Sequence, residues 1–494
     1  MDESDGGFSY ACTLVNFCGS SLMQLKMTPR LWAFTGLLVW GATILYFEVI
    51  RLDAYGVDEN AARAILLVWS VVDRVINPIF IMGMPDLRAL LFVPAGIYWP
   101  GSILAVKILT LLVTYGGVLF VYHWSKHHQD GENALLAAGL LLIAPVTVFQ
   151  IDTIGAGPYL LLLFGTGAWL DQVYRKAQRP LGGWFFLQML LIIIAISIHP
   201  MALAYPLALV FEWYLHPVDK RQQRHIYLGL GSAVIFSLLL RSGWHEQSWL
   251  HNPFATLAGI LFGPAPESSP HWAWGILAGV ILVALFVRHR RQIRDSLLPR
   301  MLAIAIVIGL LTADQAWNLL VLACLLIFGI QSLIDVNRRL GGQSFAGQRG
   351  LVMLMVFVFA TLFMQGDKAH QAANGYNQLA PHDKLIQTLA ALLEDSKEDT
   401  ILIMSQWPGK TMLATHRPVI PLPPDYKNAD TLLKNIGRIS HIIFDPRSPA
   451  NRTLSKQLST LASQTETLAL ESGGVVISLR HDQNSVAGPA PTDP

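Results

Sequence analysis

Eleven apolar runs, separated by short basic segments, constrain this chain more than any other feature. They cover residues 31–52, 102–124, 133–150, 157–174, 184–198, 201–216, 226–241, 272–288, 300–313, 316–335 and 351–365. A bilayer core asks for about 20 apolar residues per spanning helix, and fewer where a helix is buried in a bundle. With 53% hydrophobic and only 14% charged residues among 494, the excess of apolar surface has no place in a soluble core. The pattern predicts a mainly α polytopic membrane bundle of about eleven transmembrane helices.

The basic residues between the runs set the orientation. Lys126, Arg175–Arg179, Lys220–Arg224, Arg288–Arg294 and Arg338–Arg339 all fall on one side if the spans alternate, and short basic loops stay in the cytoplasm. The N-terminus is then cytoplasmic, and the segment after residue 365 extracytoplasmic. A net charge of +2, dealt out between apolar segments, leaves no basic patch for nucleic acid. The three cysteines, Cys12, Cys18 and Cys324, form neither a disulfide framework nor a zinc spacing.

Four regions follow: a polar extension over 1–26, read as disordered or untranslated, a membrane domain over 27–365, an extracytoplasmic α/β domain over 366–483, and a disordered tail over 484–494. Helical and strand periodicities alternate in the third region. "HDKLIQTLAALLEDS" reads as an amphipathic helix, and "TILIMS", "SHIIFD" and "GVVISLR" read as strands of a mostly parallel sheet. In the first outer loop, "ENAARAILLVWSVVDRVI" and "PDLRALLFVPAGIYWP" read as helices lying in the interface plane, the second ending in Tyr98 and Trp99 at headgroup depth.

Asp58 and Glu59 stand at the mouth of the first of these helices. A carboxylate near hydrocarbon is costly, by about 2.5 to 3.5 kcal/mol at a helix centre and less at the interface, so stability alone rarely selects two. One reading makes them caps of the following helix, whose N-terminus favours acidic residues. The other makes them chemistry.

The order of motifs from about 30 to 220 resembles the C-type fold of glycosyltransferases that use lipid-linked sugars, the group of protein O-mannosyltransferases and lipid A aminoarabinose transferases. The resemblance is carried by "VDENAARA" after the first span, the Pro-led "MPDLRALLF", "GSILAVKI" at the second span, "ENALLAAGLLLIAPVTVFQIDTIGAGPYLLLLFGTGAWL" with its Pro break, and "LIIIAISIHPMALAYPLALV". "RPVIPLPPDY" and "ISHIIFD" are similar to the soluble tails of such enzymes. Two positions depart from the family: "GMP" at Gly83–Pro85 replaces an acidic-lysine-proline motif, and Gly157 stands where an aspartate is usual, with Asp152 nearby.

The resemblance implies a glycosyltransferase that takes a sugar from a polyprenyl-phosphate donor at the outer face of the cytoplasmic membrane, among membrane lipids, and passes it to a glycan, lipid or protein acceptor. Asp58 is the implied base, with Glu59 its partner or a cap. Cations must meet the departing phosphate, and Arg63, Lys107 and Arg241 are placed for that; Lys107 must either snorkel or find an anion. Asp152 is the candidate second carboxylate. His199, at a Pro break, either binds phosphate or acceptor or is a satisfied structural residue. A divalent metal is compatible with the family, but no ligand cluster supports one. The competing readings are a non-catalytic assembly partner, a polysaccharide polymerase and a transporter of the cell envelope.

Overall fold

A computed structural model describes residues 57–73, 86–128, 131–177, 183–215, 227–235, 272–310, 315–339, 381–394, 401–422, 439–446, 451, 454–456, 458, 465–469 and 475–479. The expected spans at 31–52 and 351–365, the outer loop at 242–271 with Arg241 just before it, Gly83–Pro85, and both chain ends lie outside the described residues.

Helix α1, Glu59–Asp73, opens the described chain. Its start is fixed by Asp58, whose Oδ2 accepts the Ala61 amide at 3.2 Å, as an N-cap carboxylate does. Ala61, Ala62, Ile65, Leu66 and Trp69 form its buried face and pack on α2, Arg88–Tyr98. Tyr98 and Trp99, 72% and 61% exposed, stand at the end of α2.

The bundle follows as α3 (Ile103–His128), α4 (Gly131–Ile143), α5 (Pro145–Asp152), α6 (Ala156–Ala177) and α7 (Gly183–Ile198). A 3₁₀ turn, Pro200–Leu203, leads into α8 (Ala204–Leu215), and a helical stretch covers 227–235. Then come α9 (Trp272–Arg288), α10 (Arg290–Asp295), α11 (Leu297–Gly309) and α12 (Gln315–Arg339). Among the described residues, α3 and the Ala316–Val336 part of α12 are long and apolar enough to cross a membrane singly. The run expected as one span over 133–150 is broken: its two helices meet at 47°. Pro145 is the cause, because it cannot continue a helix without losing a hydrogen bond and clashing with the preceding turn. As an N1 residue it starts α5 instead.

Helices α3 and α6 cross closely at Gly117, where a Cβ would lie 3.1 Å from the Leu162 backbone nitrogen. Small residues allow such approach in membrane bundles, where dispersion contacts replace the hydrophobic drive between helices. Gly117→Val is expected to push the pair apart and cost about 1–3 kcal/mol. A lower melting temperature of the detergent-solubilised protein would report it.

The C-terminal region carries α and β elements: α13 (Pro381–Glu394), β1 (Ile403–Ser405), α14 (Pro408–Thr415), β2 (Val419–Pro421), β3 (His441–Phe444), β4 (Thr465–Ala469) and β5 (Val475–Leu479). The strand order is β2-β1-β3-β5-β4. The sheet is mixed rather than mostly parallel: β1 runs parallel to β2 and β3, and β5 antiparallel to β3 and β4. The correction has a local cause. Only "LESGG" separates β4 from β5, long enough for a hairpin and too short for the crossover that parallel strands need.

Candidate functional site

Three short segments meet at the start of α1. Asp58 arrives first, its backbone amide donating to the Thr153 carbonyl at 2.8 Å. The second segment is the turn after α5, closed by Ile154 N–H to Ile151 O and Gly155 N–H to Gln150 O. Ile154 sits there at a φ of 56°, a left-handed conformation that β-branched residues rarely adopt and that costs of order 1–3 kcal/mol. The turn is held from within by Gln150, whose Oε1 accepts the Gly157 amide at 3.0 Å.

The third segment is the N-terminus of α2, and it brings the residue that ties the others together. Arg88 is 1% exposed. Its Nε donates to Asp86 Oδ2 at 2.7 Å, its Nη1 to the Ile154 carbonyl at 2.7 Å, and its Nη2 to Asp58 Oδ2 at 3.1 Å. The guanidinium also lies 5.9 Å from the centre of the Tyr159 ring, and the Tyr159 hydroxyl meets Thr110 Oγ1 at 2.6 Å. Burial alone would lower the pKa of Arg88, yet Asp86 and Asp58 outweigh it and hold the group above its ordinary value. The strained Ile154 backbone thus has a use: it turns a carbonyl toward a buried cation.

Asp58 keeps 41% of its side chain exposed while resting on Arg88. It is both the cap of α1 and an accessible carboxylate beside a fixed positive charge. Glu59 points elsewhere. Its Oε1 accepts from Arg63 Nε and from the Gly409 amide, each at 2.8 Å, and its Oε2 from the Lys410 amide at 2.9 Å. It caps α14 of the C-terminal region, an arrangement the sequence does not suggest.

The remaining candidates fall in different places. Lys107 and Asp152 are both fully buried and joined by a 2.7 Å ion pair, so the lysine has found its anion inside the protein. A Cβ at Gly157 would sit 2.9 Å from Leu319 Cδ2 and 3.0 Å from Gln150 Oε1, so a side chain there requires those two to move. His199, 3% exposed, caps the 3₁₀ turn by accepting the Met201 amide on Nδ1 at 3.2 Å. Arg63 borders Asp58 through Glu59 and keeps 28% of its side chain exposed. No group of three or more His, Cys, Asp or Glu side chains able to hold a metal occurs among the described residues.

Asp86 and Arg88 were not singled out from the sequence. The available signal was a cation in the first turn of an apolar helix, where the helix dipole opposes it; burial there demands an acidic partner, and Asp86 stands two residues before.

No family model and no curated protein matches the chain. Solved structures do match. ArnT from Cupriavidus metallidurans in the apo state superposes with a TM-score of 0.58 at 13% identity, covering 90% of this chain and 98% of that one. The same enzyme bound to undecaprenyl phosphate gives 0.52 at 13% identity, covering 94% and 100%. The chain shares the fold of these ArnT structures. Within that fold, the Asp58–Arg88 contact lies where α1, α2 and the turn after α5 converge.

Proposed function

We propose that the protein is a membrane glycosyltransferase of the cytoplasmic membrane, which transfers a sugar from a polyprenyl-phosphate donor to a hydroxyl acceptor at the outer face. The observation that carries this reading is the accessible Asp58 carboxylate, capped onto α1 and braced by the buried Arg88, in a chain whose fold is shared with ArnT, an enzyme solved with undecaprenyl phosphate. In the proposed step the acceptor oxygen attacks the anomeric carbon and the acceptor proton passes to Asp58. The bond from the anomeric carbon to the phosphate oxygen breaks, and the polyprenyl phosphate leaves as the anion. Arg63, paired to Glu59 one helical turn earlier, is assigned with it to the joint described below rather than to that anion. Lys107, Asp152 and His199 are assigned to the scaffold. By the distribution of basic loops the N-terminus is cytoplasmic and the α/β domain outside.

Native mass spectrometry of the gently solubilised full chain tests the donor. Wild type is expected to retain polyprenyl phosphate, and Asp58→Asn to accumulate its glycosylated form, with transfer reduced at least about a hundredfold. A folded Asp58→Asn that transfers at the wild-type rate removes Asp58 as the base. Folded wild type that carries no polyprenyl phosphate removes the donor, and the reading of a non-catalytic assembly partner then takes its place.

A further inference from the structure

Two adjacent acids at one helix start repel each other unless each has its own cation or donor set, and here the two sets belong to different parts of the molecule. Asp58 is bound by Arg88 of α2. Glu59 is bound by Arg63 and by the first amides of α14, from a segment 350 residues further along the chain. Pro408 supplies no N–H at the first position of α14, so Gly409 and Lys410 carry the leading free amides, and one carboxylate takes both. A carboxylate at a helix N-terminus satisfies unpaired donors and meets the positive end of the dipole. In open α/β sheets this edge, outside the carboxyl ends of parallel strands, is where ligands usually bind; here a side chain of the membrane domain fills it.

The surroundings are built for that contact. A Cβ at Gly409 would stand 2.8 Å from Arg63 Cγ, 2.9 Å from Glu59 Oε1 and 3.0 Å from the Glu59 carbonyl oxygen, so glycine is what allows the two helix ends to meet. The next residue, Lys410, sends its Nζ back to Asp383 of α13 at 3.0 Å, largely buried. Thr411 and the Trp407 amide share the Ser405 hydroxyl at 2.7 and 2.9 Å, which ties α14 to the end of β1. A load on Glu59 therefore reaches the sheet and α13 within one residue of its contact.

We infer that Glu59 is a positioning residue, the joint by which the α/β domain clamps the start of α1 and so fixes Asp58 over the site. The inference rests on the proposed role of Asp58, but the joint itself is testable without it. Hydrogen–deuterium exchange on the full chain in lipid nanodiscs reads both sides of the contact. Glu59→Gln and Gly409→Ala, which break it from opposite domains, are each expected to raise exchange at least tenfold in 408–415 and in 59–66 together, with Ile103–His128 unchanged as the control for folding. Asp58→Asn, which removes the charge that meets Arg88 instead, is expected to leave 408–415 at the wild-type rate. Exchange that rises only in the segment carrying the substitution, or in neither, overturns the joint.

The positioning claim has its own readout. With undecaprenyl phosphate mannose and undecaprenyl phosphate aminoarabinose offered in turn as donors, Glu59→Gln is expected to lower kcat at least tenfold while donor KM moves less than twofold. An unchanged kcat with exchange raised on both sides overturns positioning and leaves Glu59 as a domain fastener. If wild type transfers from neither donor, the proposed substrate class fails, and the exchange results still decide whether the joint exists.

Discussion

Arg88→Met is expected to destabilise the protein by about 3–5 kcal/mol, the range for removing one member of a buried, hydrogen-bonded charge pair. Asp86 is 7% exposed and gives both carboxylate oxygens to Arg88, Oδ1 to its amide at 2.9 Å and Oδ2 to its Nε. Without the guanidinium, that carboxylate keeps one backbone donor and loses its counter-charge, and the Ile154 carbonyl loses the Arg88 Nη1 donor at a strained residue. Arg88→Lys is expected to recover only part of the loss, because an ammonium is a point charge and cannot span Asp86, Asp58 and the Ile154 carbonyl at once. Arg88→Met with Asp86→Leu removes the buried charge altogether and is expected to regain most of the stability. The same double variant leaves Asp58 unbraced, so transfer should stay low while the melting temperature returns. Thermal unfolding in detergent, followed by loss of the monomer peak on size exclusion, measures the first effect. A melting temperature for Arg88→Met within 1 °C of wild type would show that the three segments are held together by something other than this residue.

The apolar runs made the bundle legible because spanning helices announce themselves locally: about 20 residues of composition decide each one. The two helices α1 and α2 were legible from their periodicity, and the described bounds fall within a few residues of where it sets them. What local pattern cannot show is partnership across distance. Glu59 reads as a cap because acids favour helix starts, and it is one, but of a helix 350 residues away. Lys107 reads as snorkelling or anion-binding, and only the return of α5 beside α3 decides between them. Strand β4, "TETLA", is too polar to stand out until β5 pairs with it. Helix α14 hides in "PGKTMLAT", where Pro and Gly at the front suggest a turn, yet Pro at N1 is a helix start.

Lys107→Met is expected to cost about 3–5 kcal/mol as well, and the pair it breaks separates two accounts of this lysine. Nζ and Asp152 Oδ1 are 2.7 Å apart, with neither side chain exposed. Without Nζ the buried Asp152 carboxylate loses this counter-charge, whereas the intact pair gains back much of its desolvation through the short charge-assisted bond. Replacing both members by apolar residues of similar volume, Lys107→Met with Asp152→Leu, is therefore expected to restore stability to within about 1 kcal/mol of wild type, the double-mutant cycle reporting a strong coupling. Asp152 closes α5 immediately before Thr153 and Ile154, whose carbonyls hold the Asp58 amide and Arg88. The pair thus anchors the turn on which the site rests. If this anchoring is its whole role, the stable double variant binds undecaprenyl phosphate as wild type does in native mass spectrometry. If Lys107 meets the donor phosphate, the double variant is equally stable and loses that lipid, and the assignment of Lys107 to the scaffold fails.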